Sequence, residues 1–134
     1  MAARRSGTIA VPFVEALTEL VRAADPSATG YVHWGATSQD VVDTALVLVL
    51  RAAHHAIAVD HRRLADALIA LSDRHTRTVM VGRTLLQPAL PVTFGLKVAG
   101  WYGSVARSWA ALDAATRGAL VPQFGGAVGT LAAL

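Results

Sequence analysis

Cysteine is absent from the 134 residues, which removes disulfides, thiolate metal sites and cysteine nucleophiles together. The same absence fits a reducing cytoplasm, the location expected for this chain. Lysine is nearly absent: Lys97 stands alone beside eleven arginines. These are scattered from Arg4 and Arg5 to Arg117, with no basic stripe and no interleaved aromatics, so no nucleic-acid partner is expected. Long apolar runs are lacking as well. The longest, Ala45 to Leu50, falls far short of the ~20 residues of a bilayer span, so no membrane partner is expected. Arg4 and Arg5 lead into Ser6, Gly7 and Thr8, not into the apolar core of a secretory signal. Aromatics make up 6% and charged residues 16%, against 54% hydrophobic residues, so a folded domain with an aliphatic, helical core is expected.

Proline and glycine are missing from the whole stretch between Gly35 and Gly82, and the spacing there predicts one long helix from about Gln39 to about Arg74. Ser38 is the expected N-cap, with Asp40 in the first turn to suit the helix dipole. Between Ala45 and Val59 only Arg51, His54 and His55 are strongly polar. A helix apolar nearly all round must be buried on most faces, so partner chains or a larger protein are expected to surround it. Before it, Pro12 to Ala24 reads as an amphipathic helix, and "DPSATG" as a turn leading to a short extended piece, Tyr31 to Trp34. After it, "TVMVGRTLLQPALP" reads as a structured loop bounded by Gly82, Pro88 and Pro91. A second long helix is expected from about Val92 to about Arg117, with Val98, Trp101, Tyr102, Val105, Trp109 and Leu112 on one face. Trp101 and Trp109 are expected in the core. The last stretch, "VPQFGGAVGTLAAL", reads as a glycine-rich loop before a further helix. The architecture expected is all-α, of long antiparallel helices whose two ordered loops lie near one end.

"HWGATSQD", His33 to Asp40, crowds an imidazole, an indole, two hydroxyls, an amide and a carboxylate around one glycine. From spacing alone Ser38 is a cap, and Asp40 and Asp43 serve the dipole and the loop's orientation. His33 is a candidate acid or base, because its ordinary pKa lies near working pH. His54, His55, His61 and His75 show no clean metal-ligand spacing with a second ligand, so packing or surface roles are expected and no metal.

Three stretches, "VHWGATSQDVVDTALVL", "VGRTLLQPALPVTFGLKVAGW" and "QFGGAVGTLAAL", together resemble the fumarase/aspartase/adenylosuccinate lyase superfamily. The octet's tryptophan, "LPVTFGLK" and "QFGGA" point to its branch of bacterial 3-carboxy-cis,cis-muconate cycloisomerases. The resemblance implies that residues 1–36 end an N-terminal helical domain and residues 37–134 belong to the central helix-bundle domain. It implies a homotetramer whose central helices share one bundle, with each active site gathered from three subunits. The activity implied is the lactonising addition of a substrate carboxylate to a conjugated diene, in protocatechuate catabolism by the β-ketoadipate route. The substrate is a small tricarboxylate, and no metal or organic cofactor is needed.

On that resemblance Thr37 and Ser38, at a helix start, bind a substrate carboxylate, as do Thr84 and Gln87 in the second motif and Thr130 in the third. His33 is the catalytic candidate. Arg83, in the second motif, is a weaker binding candidate than Thr84 and Gln87, with a structural ion pair as its alternative, and the glycine N–H groups near Thr130 suggest an anion nest. Two departures stand out: Leu85 and Pro88 occupy places where adenylosuccinate lyases carry histidines, which removes a proton-transfer candidate. The family's flexible serine-bearing signature loop has no counterpart in these residues. The chain is therefore expected to be a fragment of such an enzyme, without turnover by itself. Two alternatives remain: another lyase of the superfamily, such as adenylosuccinate lyase, and a non-catalytic helical assembly module.

Overall fold

A computed structural model describes residues 2–132 and 134. Helix α1 spans Ala2–Ser6 and α2 Ala10–Ala24, followed by a 3-10 turn, Pro26–Tyr31. Helix α3 runs unbroken over Ser38–Arg74, strands β1 (Val79–Thr84) and β2 (Gln87–Thr93) form a hairpin, and α4 spans Phe94–Ala119. The chain divides into two compact units: residues 1–50 with 120–134, and residues 51–119.

In the first unit, α2 ends where the Asp25 N–H bonds back to the Val21 carbonyl at 2.7 Å. Asp25 then starts the 3-10 turn, its carboxylate accepting from the Ser27 N–H at 2.9 Å and the Ser27 hydroxyl at 2.6 Å. Pro26 sits at the first helical position, where its missing N–H costs nothing. The extended piece expected at 31–34 is thus partly a continuation of helical turns.

In the second unit the contacts prove an antiparallel pair. Descending α3, Ser72 donates to the Gly95 carbonyl at 3.0 Å. His61 and then His54 stack on Trp109, at centroid distances of 4.8 and 5.0 Å. His54 Nε2 lies 3.1 Å from Asp113, which also pairs with Arg117. As residue numbers fall on α3 they rise on α4. Gly95 permits the approach, because a Cβ there would stand 2.7 Å from the Ser72 carbonyl oxygen. Of the histidines expected to take packing or surface roles, His54 and His61 pack on Trp109 and His75 on Phe94, while His55 is exposed.

The expected loop after α3 is a two-stranded antiparallel hairpin. Pro88 and Pro91 argue against a strand only where a neighbour needs their N–H, and a hairpin of two strands leaves an outer edge on each. Strand β2 also runs on to Thr93, whose hydroxyl accepts from the Leu96 N–H at 3.2 Å, so α4 begins at Phe94 and not at Val92. The octet runs into the first turn of α3 and the hairpin follows its last residue, so these loops adjoin opposite ends of that helix. The expectation of a shared end confused a loop that leads into a helix with one that leaves it.

Very little of this surface is covered. Among the described residues the buried apolar side chains are Ala10 and Val98, while Leu46, Val49, Ile57 and Leu64 on α3 are exposed. Trp101 is 46% exposed, against the expectation of a core position. It borders Phe94 edge-on and carries Lys97 over its ring at 5.5 Å, but no element covers its outer side. By length and composition α3 would also suit a membrane span, which the short apolar runs had not suggested, because an 18-residue window within it reaches a mean hydropathy of 1.5.

The hairpin turn holds the most strained backbone. Leu85 and Leu86 have φ of 46° and 64°, and they are 86% and 107% exposed. Two central residues at positive φ make the turn that normally takes Asn-Gly, and a bulky side chain there costs about 1–2 kcal/mol per residue. Replacing Leu85–Leu86 by Asn–Gly is therefore expected to raise the melting temperature by several degrees, read by circular dichroism. An unchanged or lower value would show that this turn is not under strain.

Candidate functional site

The octet builds its geometry on Asp40. The first helical hydrogen bond of α3 runs from the Val41 N–H to the Thr37 carbonyl, at 3.4 Å, so Thr37 and not Ser38 is the N-cap. Asp40, three residues on, reaches back so that its Oδ2 accepts from the Thr37 N–H at 2.8 Å. That is one half of a capping box, with an acid at the third helical position. The same carboxylate accepts from two residues far along the chain: Gly125 N–H to Oδ1 and Gly126 N–H to Oδ2, each at 3.0 Å.

Three N–H donors converge on one carboxylate that is only 9% exposed. The Thr37 N–H, followed by the Gly125 N–H, holds its pKa below the ordinary 3.8. Burial opposes them, and the Gly126 N–H and the charge of His33 add to the lowering. His33 lies at the start of the octet. Its φ of 62° is left-handed, an unusual conformation for a histidine, and it places Trp34 and Gly35 in a tight turn closed by the Ala36 N–H on the His33 carbonyl at 3.3 Å.

The third motif packs directly against the first. Gly126 has φ of +70°, and a Cβ built on it would lie 2.7 Å from the Gly35 carbonyl oxygen. Gly35 itself has φ of +69°, and its missing Cβ would meet the Leu134 side chain at 2.7 Å. The glycines thus serve close approach. Their N–H groups do not form the expected anion nest, since Gly125 and Gly126 donate to Asp40 and Gly129 donates to the Gly126 carbonyl at 3.4 Å. Competition from a fixed internal carboxylate decides that point. Thr130 stands exposed on this loop.

Of the residues singled out from sequence, His33, Thr37, Ser38 and Thr130 all fall in this first unit, on two loops joined through Asp40. Thr84 and Gln87 belong to the second unit, where they face each other as the last pair of the hairpin, beside the Leu85–Leu86 turn. Arg83 pairs in register with Pro88, and both are exposed. Asp43 accepts from the Gln39 side chain at 2.7 Å and serves the first turn, as expected. Sequence reading missed the second half of Asp40's role. An acid three residues after a threonine announces a capping box, but nothing in the sequence announces a bond across 85 residues.

In the first unit lies an apolar cavity of about 520 Å³ lined by Ile9, Phe13, Val41, Leu48 and Phe124, with Asp40 at its wall. The site is thus a polar rim on an aliphatic base. Hydroxyls at a helix start meet the positive end of the dipole, an arrangement suited to an anion.

Two outcomes follow. An alanine at Gly126 needs left-handed backbone and displaces Gly35, so Gly126→Ala should cost about 1–2 kcal/mol in urea unfolding, beyond any steric shift. Asp40 and Asp25 both have folded pKa values below the ordinary 3.8, the latter mainly through the Ser27 hydroxyl and N–H. Their contributions are whole above pH 3.8 and vanish as pH falls through the lower folded values. Melting temperature should therefore fall with acidification below about pH 4, and Asp40→Asn should remove part of that fall.

The family described as Lyase matches residues 5–134. The 3-carboxy-cis,cis-muconate cycloisomerase of Bradyrhizobium diazoefficiens is 54% identical over 133 residues, covering 99% of this chain and 30% of that protein. A nitrosuccinate lyase of Streptomyces davaonensis is 49% identical over 131 residues, covering 98% and 27%. The crystal structure of a 3-carboxy-cis,cis-muconate lactonizing enzyme from Pseudomonas putida matches with a TM-score of 0.90 at 47% identity, covering 98% of this chain and 30% of that one. The chain spans about 30% of the length of these relatives. With its long helices, its octet at the start of α3 and its glycine loop packed upon it, the chain belongs to the lyase family, within the fumarase/aspartase superfamily that its motifs resemble.

Proposed function

We propose that these residues are part of a cytoplasmic 3-carboxy-cis,cis-muconate cycloisomerase. The observation that carries the proposal is the carboxylate-suited rim at the start of α3, present in a chain 54% identical to a cycloisomerase over 133 residues. In the reaction, a carboxylate oxygen of the substrate forms a C–O bond to one end of a conjugated double bond. The displaced electron pair moves toward a neighbouring carboxylate, and a proton is taken up on the adjacent carbon. That chemistry calls for fixed donors around an aci-carboxylate and for a proton donor, and it calls for no metal or organic cofactor. Thr37, Ser38 and Thr130 hold one carboxylate, Thr84 and Gln87 another, and His33 manages the proton.

Homo-oligomerisation is part of the same reading. The octet leads into α3 and the hairpin leaves it, so neighbouring copies complete each site. Their association as a tetramer covers Leu46, Val49 and Ile57, which are exposed in a single chain. The division of the chain at residue 36 into an N-terminal and a central domain belongs to this reading as well.

The identity to a nitrosuccinate lyase, 49% over 131 residues, favours a second reading: elimination from a smaller dicarboxylate at the same rim. Both are tested with the full product of the gene. Loss of diene absorbance with 3-carboxy-cis,cis-muconate, but no turnover of nitrosuccinate, is the expected result. The reverse would overturn the first reading in favour of the second. Thr37→Val and Gln87→Ala should each raise KM by about ten- to a hundredfold, the worth of one hydrogen bond to a charged group. His33→Gln should lower kcat by about two to four powers of ten. Light scattering should give four copies, and Val49→Glu with Ile57→Glu should reduce the mass.

A further inference from the structure

A carboxylate that only caps a helix has no reason to bond elsewhere. Asp40 is the one buried polar or charged side chain among the described residues, and both of its oxygens are engaged. The Thr37 bond is explained by capping. The bonds to Gly125 and Gly126 are not, and they fix a second loop at 3.0 Å from each oxygen. The glycines make this closeness feasible, since any Cβ at 126 would stand 2.7 Å from the Gly35 oxygen.

We propose that Asp40 is the positioning residue of the site, a latch whose carboxylate joins the octet and the 123–131 loop into one wall, placing Thr37, Ser38 and Thr130 for a substrate carboxylate. The role rests on the carboxylate-binding reading above. Three N–H donors engage the latch's carboxylate, so an anionic substrate meets hydroxyls in place of a bare carboxylate. Asparagine cannot stand in. It has a single acceptor oxygen, and its NH₂ would face an N–H, leaving at least one backbone donor without a partner.

The test uses the full gene product as wild type, Asp40→Asn and Asp40→Glu. Amide hydrogen exchange of the 123–131 peptide should quicken about tenfold or more in Asp40→Asn, the loss of at least one bond's worth of protection. KM for 3-carboxy-cis,cis-muconate should rise about tenfold per active molecule, with Asp40→Glu, which keeps the charge, intermediate in both. A capping role alone would quicken exchange around residues 37–41, leave 123–131 protected and leave KM unchanged, and that pattern overturns the proposal. If Asp40→Asn does not fold, Asp40→Glu decides by the same two readings. If the wild type ignores 3-carboxy-cis,cis-muconate, the assigned activity fails, while exchange at 123–131 still decides whether the latch exists.

Discussion

The carboxylate of Asp40 holds the first unit together in a way no other group does. It is buried, it is charged, and it accepts from N–H groups at positions 37, 125 and 126. Each donor alone is worth little net, because water would replace it in the unfolded chain. Together they make burial of the charge tolerable, since an anion with full coordination loses little on leaving water. The octet's turn, the first turn of α3 and the glycine loop all take their places from this one group.

A second constraint is the shortage of internal cover. Among the described residues, two long helices included, Ala10 and Val98 are the buried apolar side chains. The hydrophobic surface of α3 stays exposed at Leu46, Leu48, Val49, Leu50 and Ile57. Apolar surface on such a scale marks association with something else. The oligomer proposed above gives that surface a use. The exposed face of Trp101 belongs to the same account.

Much of the fold was legible. The lack of proline and glycine between Gly35 and Gly82 gave α3 almost to the residue, because nothing there interrupts the backbone ladder. The hairpin was not legible. Pro88 and Pro91 read as breakers, and Leu85–Leu86 lacks the asparagine and glycine that normally mark such a turn. In the candidate site, Thr37, Ser38 and His33 stood out by crowding. The glycines at 125 and 126 read as anion donors, but their N–H groups turn inward to a carboxylate 85 and 86 residues earlier.

The sequence by itself determined the long helices, the family and the candidate residues for its chemistry, because periodicity, breakers and short motifs are local properties of the chain. The tertiary structure alone decided which loops meet, which glycine N–H groups are free, and which acid is structural. Those outcomes depend on distances between groups far apart in sequence, and a hydrogen bond of 3.0 Å between Gly125 and Asp40 leaves no trace in the spacing of either.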